Sequence, residues 1–177
     1  MQIRPATAAD FPAILALNEA SVAVLAPMDL ARLGELHAGA SHHRVAEENG
    51  TVLAFLLVFS EGARYDSPNY LWFSARYPRF LYIDRVVVSA DARGRGIGPA
   101  LYRDLIAVAR TRGVEMLCCE YDIAPPNPAS ARFHAGFGFR EVGQQRVAGG
   151  KKAVSLQVMD ITAQPIANTT DTSRRIP

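Results

Sequence analysis

The stretch "RVVVSADARGRGIGPAL", residues 85–101, limits the fold more than any other part of the chain. A β-branched run reads as a buried strand and stops at a small polar turn. Gly94, Gly96 and Gly98 then alternate with Arg95 and Ile97, and apolar residues at helical spacing follow. Glycine has no Cβ, so such a backbone can curl tightly and let a ligand touch its N–H groups. At the start of a helix those N–H groups lack intrahelical partners and the macrodipole is positive. That combination binds phosphate, and Arg93 and Arg95 add charge and fork-shaped donors. Pro99 falls near the first helical position, where its missing N–H costs nothing. A plain surface turn is the bland alternative, but a turn has no need of three glycines and two arginines ahead of a helix.

Two common phosphate signatures do not fit. There is no Gly-Lys-Ser/Thr ending of the Walker A kind. A dinucleotide fingerprint would need its third glycine where Pro99 stands, and only Glu120 could serve as the acidic ribose clamp.

Residues 2–6 read as a short strand. Thr7 precedes a helix with Phe11, Ile14, Leu15, Leu17 and Val22 at helical spacing and Pro12 in its first turn. A second short helix is expected over 29–38. "SHHRVAEENGTVLAFLLVF" predicts strand, turn and strand, with Asn49-Gly50 as the hairpin turn. Residues 61–79, "EGARYDSPNYLWFSARYPR", read as a long aromatic-rich connection, a kind usually functional or mobile. A strand over 80–88, a helix over 99–111 and a strand over 114–121 come next. A short helix over 128–135, stopped by Gly136, and an antiparallel pair over 139–145 and 152–161 complete the pattern. Residues 1–161 form one α/β domain with a mixed sheet and helices on both faces. Residues 162–177 are polar and patternless and are expected to be a disordered tail.

A chain of 177 residues suits one sizeable core. Its net charge of +2 is too small to argue for nucleic acid. No uninterrupted apolar run is long enough to span a bilayer. Cys118 and Cys119 are adjacent in a strand, so they point to opposite faces and are poorly placed to bond to each other. Free thiols, and an N-terminus without a basic-then-apolar segment, give the expectation of a cytoplasmic protein. Neither cysteine has metal-ligand spacing, and no metal is expected.

"RGRGIG" fits the Arg/Gln-x-x-Gly-x-Gly/Ala signature of the GCN5-related N-acetyltransferases, the GNAT superfamily, which the chain resembles from its first strand to about residue 161. "NPASARFHAGFGF" is similar to the later motif of that family, Asn-x-x-Ala-x-x-Phe-Tyr-x-x-x-Gly-Phe, with His134 in place of the tyrosine. Both motifs stand in the right order with a strand between them. The resemblance implies a mostly antiparallel sheet whose two central parallel strands splay apart. It implies acetyl-CoA as co-substrate and acetyl transfer by direct attack of a primary amine on a small molecule, amino acid or peptide. The pantetheine arm would lie in the wedge, paired with the backbone of Val86, Val87 and Val88. The N–H groups of Arg93, Gly94, Arg95, Gly96, Ile97 and Gly98 would hold the pyrophosphate. Asn127 matches the motif asparagine that contacts the cofactor. Family members often form homodimers through late strands. Read from the residues alone, the valines are also a plain buried strand, and Asn127 before Pro128 is also a helix N-cap.

The chemistry sets further needs. A lysine-like amine titrates near 10.4, so its neutral form is disfavoured at pH 7 by roughly 4–5 kcal/mol, and an α-amine near 8 by about 1. A carboxylate base offsets this. Glu120, inside the apolar "LCCEY", is the leading candidate, because a buried acid is costly unless paired. It also resembles the glutamate base of family members that acetylate protein N-termini. A salt bridge or strand-edge position is its plain reading. Asp84 is the rival; strict alternation would put Tyr82, Asp84 and Val86 on one face. Asp122 is a third. A developing oxyanion needs a backbone donor, expected near Val86. His134 takes the place of the family's acid tyrosine, seven residues after Asn127 and so on the same helical face. It could give a proton or merely contact the cofactor. Tyr65, Tyr70, Trp72 and Tyr82, with Phe73 and Tyr77, could line an acceptor pocket or fold the long connection down as a satellite core. Asp66 or Glu61 could meet a cationic amine. His37, His42 and His43 lack such a context and read as surface or loop residues.

Two other classes compete. One is an acyl-CoA-binding sensor or interaction module without catalysis, which the missing motif tyrosine favours. The other is a nucleic-acid or nucleotide binder, against which stands the lack of a basic stripe interleaved with aromatics.

Overall fold

A computed structural model describes residues 1–23 and 25–162. The expected tail therefore lies, past Thr162, outside the described residues. Seven strands form one sheet: β1 (Gln2–Pro5), β2 (His42–Glu48), β3 (Thr51–Ser60), β4 (Leu81–Val88), β5 (Met116–Ala124), β6 (Arg140–Val147) and β7 (Lys152–Asp160). Their order across the sheet is β1-β2-β3-β4-β5-β7-β6. Every neighbouring pair is antiparallel except β4 and β5. The β2–β3 turn has Asn49 at φ 52° and Gly50 at φ 79°, the paired positive φ that a tight hairpin requires.

Among the described residues five α-helices cover both faces: α1 (Phe11–Glu19), α2 (Leu30–Gly39), α3 (Pro68–Ser74), α4 (Ile97–Thr111) and α5 (Pro128–Phe137). One core layer joins Leu101, Tyr102 and Leu105 of α4 to Leu56, Leu81 and Ile83 of the sheet, with Phe133 and Phe137 of α5 against it. The other joins Ile14, Leu33, Leu36, Tyr70 and Phe73 from α1, α2 and α3 to Phe55, Leu57 and Tyr82. Cys118 faces the second layer and Cys119 the first, and both are buried free thiols.

Several boundaries differ from expectation. The 61–79 connection is not all loop, because it contains α3. Ser67 caps that helix, its Oγ accepting from the Tyr70 N–H, and Pro68 starts it. The α4 helix begins two residues early, at Ile97, so Pro99 is its third residue; that N–H too would have had no intrahelical partner. The α5 helix runs through Gly136 and ends on Gly138 at φ +87°, since only Gly138 has the left-handed backbone that stops a helix. The β5 strand continues three residues beyond 121, to Ala124. His42 and His43 are buried on β2, not surface residues: His42 Nε2 meets Asp104 Oδ2 at 3.0 Å, and His43 Nδ1 meets His37 Nδ1 of α2 at 2.9 Å.

Candidate active site

Two backbone irregularities in the middle of the sheet make the site. The first is a β-bulge in β4. Arg85 pairs with Leu57 and Ile83 with Val58, which leaves Asp84 without a partner on β3. The extra residue reverses the alternation. Val86 and Val88 therefore join Leu81 and Ile83 on the α4 face, while Val87 joins Tyr82 on the other. This corrects the expectation that Tyr82, Asp84 and Val86 share a face. The second irregularity is a split. The parallel ladder between β4 and β5 holds only Leu81↔Leu117 and Tyr82↔Cys118. Beyond it the strands part, and among the described residues the β5-facing edge of β4 has no strand partner. A cavity of about 930 Å³ opens there. It is bordered by residues 83–88 and 120–122, by Gly98 and Tyr102 of α4, by Asn127 and the start of α5, and by the α1–α2 connection.

Glu120 sits two residues past the split, on the cavity wall. The Tyr82 hydroxyl lies 2.9 and 2.8 Å from its two carboxylate oxygens, and Asn69 Nδ2 donates to Oε1 at 2.8 Å. Gln145 Nε2 in turn donates to Asn69 Oδ1 at 3.1 Å. Among the described residues no cation pairs with Glu120. Burial pushes its carboxyl up to about 8, with the charges of Asp84 and Asp122 adding and the Tyr82 and Asn69 bonds opposing. Asp84 is different. Tyr65 Oη donates to it at 2.5 Å and Arg85 Nε at 3.1 Å, so it is an ion-paired group. Burial raises its carboxyl, and the Arg85 charge holds that rise back. Asp122 is paired as well, with Lys152 Nζ at 2.8 Å. Of the three carboxylates at the cavity, Glu120 alone combines burial with the lack of a cation, the condition of a base poised near neutrality.

His134 is buried on α5. Its Nδ1 lies 2.8 Å from the Ser130 carbonyl oxygen, which can only accept, so Nδ1 carries a proton. Burial lowers its pKa and favours the neutral ring. Nε2 is then an acceptor, and it takes the Tyr102 hydroxyl at 2.9 Å. The ring also stacks on Tyr121 with 24° between planes. As folded, His134 holds no spare proton at Nε2; the Tyr102 hydroxyl bears the one between them.

The glycine loop fits a phosphate-bearing, extended cofactor such as acetyl-CoA. Gly94 and Gly96 have φ of +75° and +77°, and a Cβ at either would meet nothing within 4 Å, so the space beside the backbone is open. Gly96 is the N-cap of α4. Gly98 serves close packing, since its Cβ would lie 3.3 Å from the Phe133 ring. The free edge of β4 at Val86, Val87 and Val88 runs from the wedge toward this loop. Arg93 borders the cavity. Arg95 turns away to Glu48, with Nη2 at 2.9 and 2.7 Å from the two carboxylate oxygens. The Ile97 side chain is in the core, which leaves only its backbone to the loop. Asn127 borders the cavity and also caps α5, its Oδ1 accepting from the Ser130 N–H at 3.1 Å.

The aromatic set divides. Tyr65 lines the cavity. Tyr70, Trp72 and Tyr82 do not border it. Tyr70 is core, its hydroxyl donating to the Ser60 carbonyl; Trp72 packs over Gly143 with the Arg76 guanidinium 3.9 Å from its ring; Tyr82 is wholly buried and holds Glu120 from behind. Asp66 is tied to Arg32 at 2.6 Å, and Glu61 accepts from the Phe80 N–H at 3.4 Å. Asn69, Tyr102 and Arg85 escaped the sequence reading. For Asn69 a signal existed: Ser67-Pro68 is a helix start, and Tyr70 and Phe73 have helical spacing.

The sequence profile of the Acetyltransferase (GNAT) family matches residues 11–139. The chain belongs to the GNAT acetyltransferase family. A phosphinothricin N-acetyltransferase from Streptomyces coelicolor is 46% identical over 66 residues, a stretch spanning 37% of each protein. The structure of a ribosomal-protein-alanine N-acetyltransferase from Brucella melitensis superposes with a TM-score of 0.67 at 26% identity, covering 90% of this chain and 99% of that one. The yncA protein of Salmonella typhimurium, solved with its cofactor acetyl-CoA, superposes with a TM-score of 0.69 at 22% identity, covering 96% and 99%. Among the described residues of this GNAT protein no helix is long and apolar enough to cross a membrane.

Proposed function

We propose that this protein moves the acetyl group of acetyl-CoA onto a primary amine of a small molecule, amino acid or peptide, with Glu120 taking the amine proton. One observation carries the reading: a buried carboxyl without a cation stands at the point where the central strands part, with its pKa raised to about 8. When bound, acetyl-CoA supplies the acetyl group as an activated thioester. Val86, Val87 and Val88 would hold its arm by backbone, and the N–H groups of the 93–98 loop its pyrophosphate. Ionised Glu120 accepts the proton that the amine gives up as it attacks the thioester carbon, and Tyr82 and Asn69 keep the carboxylate aimed while it does so. The names of the Streptomyces and Brucella relatives support an amine acceptor.

A thermal-shift titration with acetyl-CoA, CoA and longer acyl-CoAs, on wild type and Gly96→Glu, tests the cofactor. Ligand at a hundred times its Kd should add about 2.7 kcal/mol in wild type and nothing in the variant. Thiol release across an amine panel then tests catalysis. Stabilisation without release on any amine would refute catalysis and favour an acyl-CoA-binding module, the reading that the fully engaged nitrogens of His134 favour.

A further inference from the structure

Arg85 follows the bulge residue Asp84, and its side chain is only 8% exposed. Three segments fix its guanidinium. Nε donates to Asp84 Oδ2 at 3.1 Å. Nη1 donates to Asn18 Oδ1 at the end of α1 at 2.6 Å, and to the Ala26 carbonyl in the α1–α2 connection at 2.9 Å. A guanidinium has five N–H donors, and these bonds use the three on Nε and Nη1. Nη2 has no hydrogen-bond partner among the described residues, yet it is not among the side-chain atoms sealed from solvent without one. Arg85 and its partner Ala26 both border the cavity, which puts the guanidinium at that wall. The result is a charged fork, buried, locked in orientation, with two donors unsatisfied beside the space where an acceptor would lie. Such a group is preorganised for an oxygen anion and loses little rotamer freedom in binding one.

We propose that the acetyl acceptor carries a carboxylate that docks on Arg85 Nη2, which makes the substrate a small amino acid rather than a polyamine, a protein lysine or an uncharged amine. The inference rests on the acetyl-transfer reading above and names the substrate of that same cavity. One further observation agrees with it. Asp84 and Asp122 are both ion-paired, while Glu120 is mostly protonated at neutral pH, so the cavity holds little uncompensated negative charge to repel a carboxylate.

The test compares amino acids with their own methyl esters as acceptors, at saturating acetyl-CoA, with each kcat/KM referred to the concentration of unprotonated amine. A charge-assisted bond to carboxylate should give the acid a kcat/KM roughly tenfold to a hundredfold above the ester. In Arg85→Lys and Arg85→Gln that ratio should fall toward one, with thermal melts confirming that each variant is folded. The lysine variant keeps a cation for Asp84 and guards against simple unfolding. Wild type alone is decisive in one direction: esters used as well as acids would overturn the proposal. If no amine of either kind is acetylated, the transfer reading fails, and calorimetric titration with free amino acids decides the anion site. Binding by wild type that Arg85→Gln loses would uphold it, and equal binding of acid and ester would overturn it.

Discussion

Replacing Glu120 by glutamine isolates the base. The carboxyl rises from an ordinary 4.5 to about 8, chiefly through burial. At about 1.4 kcal/mol per unit, ionising it in the folded protein costs on the order of 5 kcal/mol more than in the unfolded chain. Roughly one molecule in ten is then ionised at pH 7 and nine in ten at pH 9. With an acceptor amine that stays unprotonated throughout, kcat/KM should climb about tenfold over that interval and level off above it. Glu120→Gln should lose roughly a hundredfold to ten-thousandfold in rate, and its residual activity should be flat over the same range. Stability gives a second reading. Because the folded pKa lies above the unfolded one, the folded state holds the extra proton between about 4.5 and 8, and wild-type stability declines as pH rises through that window. Glu120→Gln removes the decline, so the variant should melt higher than wild type at pH 9 and alike at pH 4. A wild-type profile without a limb between 7 and 9, or a limb that survives in Glu120→Gln, would refute the assignment.

Asn69→Ala removes a bond that stabilises the ionised carboxylate, so the alkaline limb should move to higher pH, and stability should drop by about 1.5–3 kcal/mol at pH 9. An unmoved limb would mean that Asn69 does not touch the working base. Burial lowers His43 from 6.5 to about 4, with the neighbouring His37 charge adding. The unfolded chain therefore binds the extra proton between those values, and stability should be lost as pH falls from 6.5 to 4, by up to about 3 kcal/mol. Chemical denaturation of His43→Gln across that range should show a shallower slope. Gly143→Ala would put a Cβ 2.9 Å from the Trp72 ring, so it should destabilise by about 1–3 kcal/mol, read from the melting curve.

Local patterns were legible because local physics makes them. Asn49-Gly50 announces its hairpin through positive φ, the 93–98 stretch announces a glycine turn into a helix, and the "NPASARFHAGFGF" helix carries its own cap. The α3 helix was missed although Ser67-Pro68 marks its start, because seven residues rich in aromatics give little helical periodicity. Glu120 stood out because an acid inside an apolar strand needs a reason to be there.

What the sequence determined by itself was the chain of elements apart from α3, the glycine loop and the candidate base, each written within a dozen or so neighbouring residues. Only the tertiary structure decided which carboxylates keep a cation, where β4 changes face, and which aromatics see the cavity. The bulge at Asp84 moves Val86 across the sheet, and no alternation count detects a residue that has slipped out of register. The ion pairs of Asp84 and Asp122, the Tyr82–Glu120–Asn69–Gln145 chain and the open nitrogen of Arg85 join residues up to 76 positions apart. A pKa or a vacant donor depends on which groups meet in space and how much water they lose, and that is fixed when the sheet, bulge and helices pack together.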